Sequence, residues 1–99
     1  MDTGELNAAL FADKVNTKFK VQADDSSTVE IELIEVKEYD FLPEQEAFSL
    51  MFRGPLEPIL YQTIRHIEHD IGEFDIFLVP IARREDGMHY EAAFNRFRA

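Results

Sequence analysis

A short segment in the second half of the chain contains the residue types most often used for chemistry. His66, His69 and Asp70 fall close together, and Glu68 lies between the two histidines. On a helix, His66 and His69 would share a face and could bind one metal ion, whereas on a strand positions i and i+3 point to opposite faces. His89, near the end of the chain, is a third candidate ligand.

Other arrangements with catalytic potential are missing from the sequence. The chain has no cysteine, which excludes disulfides, thiolate nucleophiles and cysteine-ligated metal sites. Ser49 lacks the Gly-x-Ser-x-Gly context of a hydrolase nucleophile, and the four glycines form no phosphate-binding loop. Most carboxylates alternate with apolar residues, as expected for the solvent face of strands. We therefore predict a protein that is not an enzyme and that carries no cofactor.

Three polar residues interrupt segments that are otherwise rich in apolar residues. Arg53 follows Phe52, and Asn95 and Arg96 lie between Phe94 and Phe97. One interpretation is structural, with these side chains bonded to loop carbonyls or to a nearby carboxylate. The other is a polar rim that binds a partner protein or peptide. The sequence leaves both interpretations open.

Apolar residues also collect in two segments that are predicted to be irregular. They are Tyr39, Phe41 and Leu42 before Pro43, and Leu56, Ile59 and Leu60 after Gly54. Loops rarely carry this much apolar surface unless they fold over the core or meet another chain. Both outcomes are consistent with the sequence.

The charge of the chain is strongly negative and unevenly distributed. Twenty acidic and ten basic residues give a net charge of −10, which disfavours binding to nucleic acid or to anionic membranes. Acidic residues dominate positions 24–46, whereas positions 83–98 contain four arginines. Two interpretations remain: a solvated acidic face, or complementary poles for self-association or for a basic protein partner.

The length of the chain and its first residues limit the classes of protein to which it could belong. A chain of 99 residues is expected to form a single domain over 1–99. The first residues contain neither a basic region nor an apolar run, so they do not resemble a signal peptide. No stretch approaches the ~20 apolar residues of a transmembrane helix. We expect a soluble, cytoplasmic protein without a membrane partner.

Alternation of apolar and polar residues predicts five strands, over 17–22, 28–37, 46–53, 73–82 and 88–97. A strand over 60–69 would be the sixth, but the residues alone leave that segment open. The alternation changes phase at Leu33-Ile34, which predicts a β-bulge. Asp86-Gly87 between the last two runs predicts a tight hairpin. Lys18 and Lys20 are expected to lie opposite acidic residues across the first hairpin.

The segment around the first two histidines is ambiguous. Leu60, Ile64, Ile67 and Ile71 recur at helical spacing, but a strand over the same residues is also consistent with the pattern. Asp2-Thr3 predicts the start of a short N-terminal helix within 1–16. The predicted fold class is mostly β: a six-stranded antiparallel meander that curls into a small barrel or sandwich, with the helix covering one end.

Several phrases of the sequence resemble a family of short bacterial domains of unknown function. They are Phe48-Ser49-Leu50-Met51-Phe52-Arg53-Gly54-Pro55, Phe77-Leu78-Val79-Pro80 and Tyr90-Glu91-Ala92-Ala93-Phe94-Asn95-Arg96, with His69 and Gly72 between them. The resemblance implies a compact β domain and no assigned activity. It also implies that 60–69 is a strand, which argues against a metal site shared by His66 and His69, and it suggests an association with phage-tail-like structures.

The function predicted from these observations is a non-enzymatic module for protein interaction or assembly. Its partner would be another protein or a second copy, and it would act as an accessory of a phage-tail-like or surface structure. The interaction or structural residues predicted from the sequence are Arg53, Asn95, Arg96, Tyr39, Phe41, Leu56 and Ile59. The alternative is a β-barrel that binds a small ligand or metal, or performs minor enzymatic chemistry, through His66, His69 and His89.

Overall fold

Six antiparallel strands close into a barrel, and one short helix precedes them. The computed structural model of the chain describes residues 6–39 and 42–97. The elements are α1 (Ala8–Ala12), β1 (Lys18–Gln22), β2 (Thr28–Tyr39), β3 (Gln45–Gly54), β4 (Thr63–His69), β5 (Gly72–Arg84) and β6 (Gly87–Phe97). The ring order is β1-β2-β3-β6-β5-β4, and every neighbouring pair is antiparallel. The predicted mostly β class, the strand number and the barrel are confirmed.

The strand order differs from a simple meander at one connection. In a meander β4 would lie beside β3, but β3 pairs with β6 and β4 pairs with β1. The barrel therefore consists of two three-stranded meanders joined along both seams. Since β3 and β4 stand on opposite sides of the ring, the connection over 55–62 must pass across an end of the barrel. Pro55 and Pro58 keep that connection from forming a tight hairpin.

Local sequence signals correctly predicted several details of strand register. Lys18 pairs with Glu32 and Lys20 with Glu30 across the first hairpin. The register between β2 and β3 shifts at Leu33/Glu35, which confirms the predicted bulge. The last hairpin closes at the predicted turn, where Arg84 pairs with Gly87.

The segment with two histidines is a strand, as the family resemblance implied. β4 begins at Thr63, so Leu60 and Tyr61 lie in the preceding connection instead of in the strand that was predicted from residue 60. Pairing with β5 along the whole strand, and with β1 at Ile67 and Glu68, holds β4 in the sheet. This pairing between distant segments outweighs the helical spacing of the isoleucines.

The interior of the barrel is filled by side chains from all six strands and from the helix. Phe19 lies at the centre of an aromatic cluster that includes Phe11 of α1 and Phe52 of β3. Tyr90 is fully buried, and its hydroxyl accepts a hydrogen bond of 2.9 Å from the backbone N–H of Leu60. This bond ties the connection over 55–62 to the core.

The helix begins later than the sequence suggested. Asn7 is the N-cap of α1, and its side-chain oxygen accepts a hydrogen bond of 2.8 Å from the Leu10 N–H. The start predicted at Asp2-Thr3 lies outside the described residues. Over 6–39 and 42–97, the structure contains no helix with the length and apolarity needed to span a membrane.

Candidate functional site

The three histidines point to different parts of the barrel. His66 lies on the outer face of β4, whereas His69 stacks on Phe19 in the core with 3.9 Å between ring centroids. His89 lies beside Asp86 at the last hairpin, with 2.9 Å between Nε2 and a carboxylate oxygen. The three histidines therefore lie apart from one another, and the ligand-binding or metal-binding alternative stays a prediction.

His69 occupies a structural position with both ring nitrogens in use. Its Nδ1 accepts a hydrogen bond of 3.2 Å from the Ile71 N–H, so the proton of the neutral ring belongs on Nε2. Nε2 then donates to the Thr17 hydroxyl at 2.9 Å, and that hydroxyl donates to the Lys14 carbonyl at 2.6 Å. Burial holds the pKa of His69 below its ordinary value, with a smaller contribution in the same direction from the charge of Lys14.

This environment predicts a loss of stability in mild acid. Because the pKa of His69 is lower in the folded chain, the unfolded chain binds the proton more readily below about pH 6.5. The stabilising effect of His69 relative to His69→Gln should therefore be full at about pH 7.5 and shrink as the pH falls toward about 5.5. Urea unfolding of both proteins, with a chelator present, measures this difference.

His66 supplies a control of opposite sign. Hydrogen bonds to Asp75 and then to Glu73 raise the pKa of His66 above its ordinary value. Its contribution is therefore full below about pH 6.5 and is lost as the pH rises through the folded pKa. The difference between the wild type and His66→Gln should grow in acid, where the His69→Gln difference shrinks. Parallel pH profiles for the two variants would contradict one of the two assignments, and the sign of the shared trend would show which.

Arg53 belongs to a charge network at the end of the last hairpin. Its guanidinium lies 3.4 Å from Glu32 and 3.2 Å from Asp86. The hydrogen bond from His89, followed by that from Arg53, holds the pKa of Asp86 below its usual range. A groove of about 540 Å³ runs beside this network and is also lined by Lys18. The charges of Arg53 are matched by its neighbours, so the geometry supports a structural role.

Arg96 connects the N-terminal segment to the sheet, and Asn95 bonds to a side chain of β3. Arg96 donates to the backbone carbonyl of Leu6 and, at 2.8 Å, to a carboxylate oxygen of Glu46. Asn95 accepts a hydrogen bond of 2.5 Å from the side chain of Gln45. These contacts are of the kind that the structural interpretation requires, and a role of either residue in partner binding stays a prediction.

The two apolar loop segments are divided between core and surface. Ile59 packs against the core, and Leu60 beside it is buried. The Tyr39 hydroxyl lies 3.3 Å from that of Ser49, while Leu42 and Leu56 are exposed. Phe41 lies outside the described residues. Packing over the core therefore explains only some of the apolar residues in these two segments.

The most distinctive surface lies on the outer side of β4 and β5. We define the β4–β5 face by Ile64, His66 and Glu68 of β4 and by Glu73, Asp75, Phe77 and Val79 of β5. Ile64 and Phe77 are direct cross-strand partners, and they are 67% and 49% exposed. Tyr61, just before β4, is 70% exposed. An apolar pair in the middle of a barrel wall therefore faces solvent.

A charged cluster lies beside this apolar pair. His66 Nδ1 is 2.8 Å from a carboxylate oxygen of Asp75, and Nε2 is 3.0 Å from one of Glu73. Ligand atoms of His66, Glu68 and Glu73 lie within 4.8 Å of one another, so these three residues could hold a divalent cation. Because both ring nitrogens already face carboxylates, a protonated His66 satisfies the same cluster.

The sequence contained a signal for this cluster that its spacing made easy to miss. His66-x-Glu68 and Glu73-x-Asp75 flank the turn before Gly72, and pairing of His69 with Gly72 places the two motifs side by side. Sequence reasoning instead paired His66 with His69, which lie on opposite faces of the strand. The pairs His66–Asp75 and Glu68–Glu73 follow once the register of this hairpin is known.

The fold and this surface define the chain as a closed six-stranded antiparallel β-barrel domain. A family model described as a domain of unknown function, DUF6916, matches residues 6–94, and the chain belongs to that family. Comparison with curated proteins found no match. Comparison with solved structures also found none.

Proposed function

We propose that this chain is a non-enzymatic module for protein interaction or assembly, and that it binds through the β4–β5 face. The observation that carries the proposal is the exposure of Ile64 and Phe77, which lie side by side as cross-strand partners near the start of β4 and in the middle of β5. Contiguous apolar surface framed by polar residues is typical of protein contact sites. The charged cluster around His66 forms one side of that frame.

A contrast within the same barrel supports this choice. The exposed positions of β2 carry the charged residues Glu30, Glu35 and Lys37, as expected for the wet side of an antiparallel sheet. Exposed positions near the start of β4 and in the middle of β5 instead carry Ile64 and Phe77. Packing of the core does not require apolar residues there, because the inward positions of both strands are already filled by buried side chains such as Ile67 and Ile76.

Closure of the barrel restricts how a partner can bind. Each strand of the described ring pairs with a neighbour on both sides, and β4 pairs with β1 at Ile67 and Glu68, so little free edge is left for another strand to add. A partner is therefore expected to pack against a face, where side chains supply the contact. A pair of exposed apolar side chains rimmed by carboxylates suits that mode of binding.

Phe77→Ser tests the proposal. The variant is expected to lose partner binding while its free energy of unfolding stays within about 1 kcal/mol of the wild type, because Phe77 packs outward. The measurement is affinity capture from a lysate of the native host, with the captured protein identified by mass spectrometry, beside light scattering of the purified chain. Urea unfolding reports stability.

Phe97→Ser is the matched control, since Phe97 is 75% exposed near the end of β6 and lies outside the β4–β5 face. It should bind as the wild type does. Equal binding by the wild type and Phe77→Ser would show that this face is not the contact surface. A chain that neither captures a protein nor associates with itself would rule out the proposed function.

We also propose the kind of assembly in which the module acts. The resemblance to short bacterial domains suggests an accessory of a phage-tail-like or surface structure, made in the cytoplasm. Such a role is compatible with a small barrel that binds through one face. Co-purification of the wild type, but not of Phe77→Ser, with such an assembly would support it.

A further inference from the structure

The exposed residues of β5 change character along the strand. In chain order they are Glu73, Asp75, Phe77, Ile81, Arg83 and Arg84. The first two are acidic, the middle two are apolar, and the last two are basic. Phe77 and Ile81 are 49% and 47% exposed. The strand therefore presents an acidic end, an apolar centre and a basic end.

The acidic, apolar and basic parts of β5 match the same strand running in the opposite direction, because the acidic end then faces the basic end. When two copies meet face to face about a twofold axis near Val79, their β5 strands run in opposite directions. A β-bulge at Ile81, between the pairs Pro80–Tyr90 and Ala82–His89, adds one residue to β5. Outward positions at equal distances from Val79 along the ladder then face one another. Phe77 of one copy meets the Ile81-Ala82 segment of the other, and Asp75 meets Arg84.

We propose that the β4–β5 face binds a second copy of this chain in this antiparallel, twofold arrangement. The inference rests on the proposed function and names its partner. Ile64 widens the apolar centre, because it lies directly beside Phe77. Faces of two sheets pack about 10 Å apart with their strands crossing at about 30°, which allows the two β5 strands to lie nearly aligned.

The charges of β5 cannot satisfy each other within one chain. Asp75 and Arg84 are nine positions apart on an extended strand that contains one bulge residue, a separation of about 25 Å. Over the residues that the structure describes, Arg83 and Arg84 form no ion pair. A second copy in the antiparallel arrangement would bring a carboxylate to each basic end.

The net charge of −10 opposes association of two copies. Salt at about 0.15 M screens this repulsion beyond about 8 Å but leaves close pairs at the contact less affected. Arg83 and Arg84 also place positive charge where the acidic end of the other copy would lie. Measurements therefore belong at this salt concentration.

Sedimentation equilibrium of the full chain, from micromolar to millimolar concentration, tests the inference. We expect a reversible monomer–dimer equilibrium. Phe77→Ser should raise the dissociation constant by about thirtyfold or more, since both copies lose the central aromatic contact. Phe97→Ser, which changes an exposed ring away from the face, should leave it unchanged.

Two charge reversals make the test specific for the antiparallel arrangement. Asp75→Lys and Arg84→Glu should each weaken self-association by about tenfold, because each creates two like-charge contacts per dimer. An equimolar mixture of the two variants should recover association near the wild-type level. In that mixed dimer, the introduced lysine meets the introduced glutamate across one half, and the native Arg84 meets the native Asp75 across the other. Circular dichroism confirms that both variants are folded.

Three results separate this inference from the proposed function. A wild type that stays monomeric at millimolar concentration overturns the dimer, and capture of another protein through Phe77 would then leave the proposed function standing. Dimers that form but are insensitive to Phe77→Ser, or variants that do not complement each other, overturn the antiparallel arrangement. Monomeric behaviour together with no captured protein removes both proposals.

Discussion

Replacing Phe19 with alanine is expected to lower the free energy of unfolding by about 3–5 kcal/mol. Phe19 is fully buried, and its ring packs edge-on against Phe52 and Phe74, with centroids at 5.4 and 6.4 Å. Its other face stacks on His69. Truncation would leave a cavity between both meanders of the barrel and the helix, and closed strand pairing limits how far the walls can collapse into it.

Urea unfolding followed by circular dichroism measures the loss. Phe97→Ala is the control, because it removes the same ring from an exposed position and should change stability by no more than about 0.5 kcal/mol. A second readout is the pKa of His69, followed by proton resonance. Loss of the Phe19 ring should expose the imidazole to water and move this pKa up toward its ordinary value. A Phe19→Ala loss as small as that of Phe97→Ala would contradict the central position of this ring.

Gly87→Ala is expected to cost about 3 kcal/mol or more. Gly87 has φ +137°, a conformation that residues with a side chain rarely adopt. A Cβ atom there would also overlap the backbone carbonyl oxygen of Gly54 and approach Arg53 Cγ to 3.2 Å. The carbonyl belongs to the paired strand β3, so relief would require the β3–β6 seam to separate locally.

Gly54→Ala separates the two causes of this cost. Its added Cβ would lie 2.8 Å from Cγ2 of Ile31, a side-chain atom, and Gly54 has no positive φ. The side chain of Ile31 can shift, so we expect a smaller loss of about 1–3 kcal/mol. Thermal and urea unfolding of both variants provide the comparison. If Gly87→Ala were as stable as the wild type, the close approach of the two glycines would be wrong.

The stability tests and the binding tests concern separate surfaces. Phe19 and Gly87 support the interior and one seam of the barrel, whereas Phe77 and the ends of β5 point to solvent. Variants of the first kind should unfold the chain and lose binding together. Variants of the second kind should lose binding while stability is kept. This division lets one set of unfolding curves distinguish an interaction residue from a structural one.

Local order in the sequence was sufficient to predict much of the fold. Alternating residues predicted five of the six strands, and the phase change at Leu33-Ile34 located the bulge. The Asp86-Gly87 turn located the last hairpin. These features depend on neighbours a few positions apart, and such neighbours impose their geometry on the backbone directly. The segment that contains His66 and His69 was ambiguous because the spacing of its apolar residues fits both a helix and a strand.

The sequence by itself determined the mostly β class, the position of the bulge in β2 and the turn of the last hairpin. Only the tertiary structure decided that β4 lies beside β1, that His66 and His69 face opposite sides of the barrel wall, and that Phe77 remains exposed beside Ile64. The physical reason is the range of the interactions. Turns and alternation act between near neighbours, whereas closure of the barrel depends on pairing between segments far apart in the chain, and that pairing selects which apolar residues stay outside.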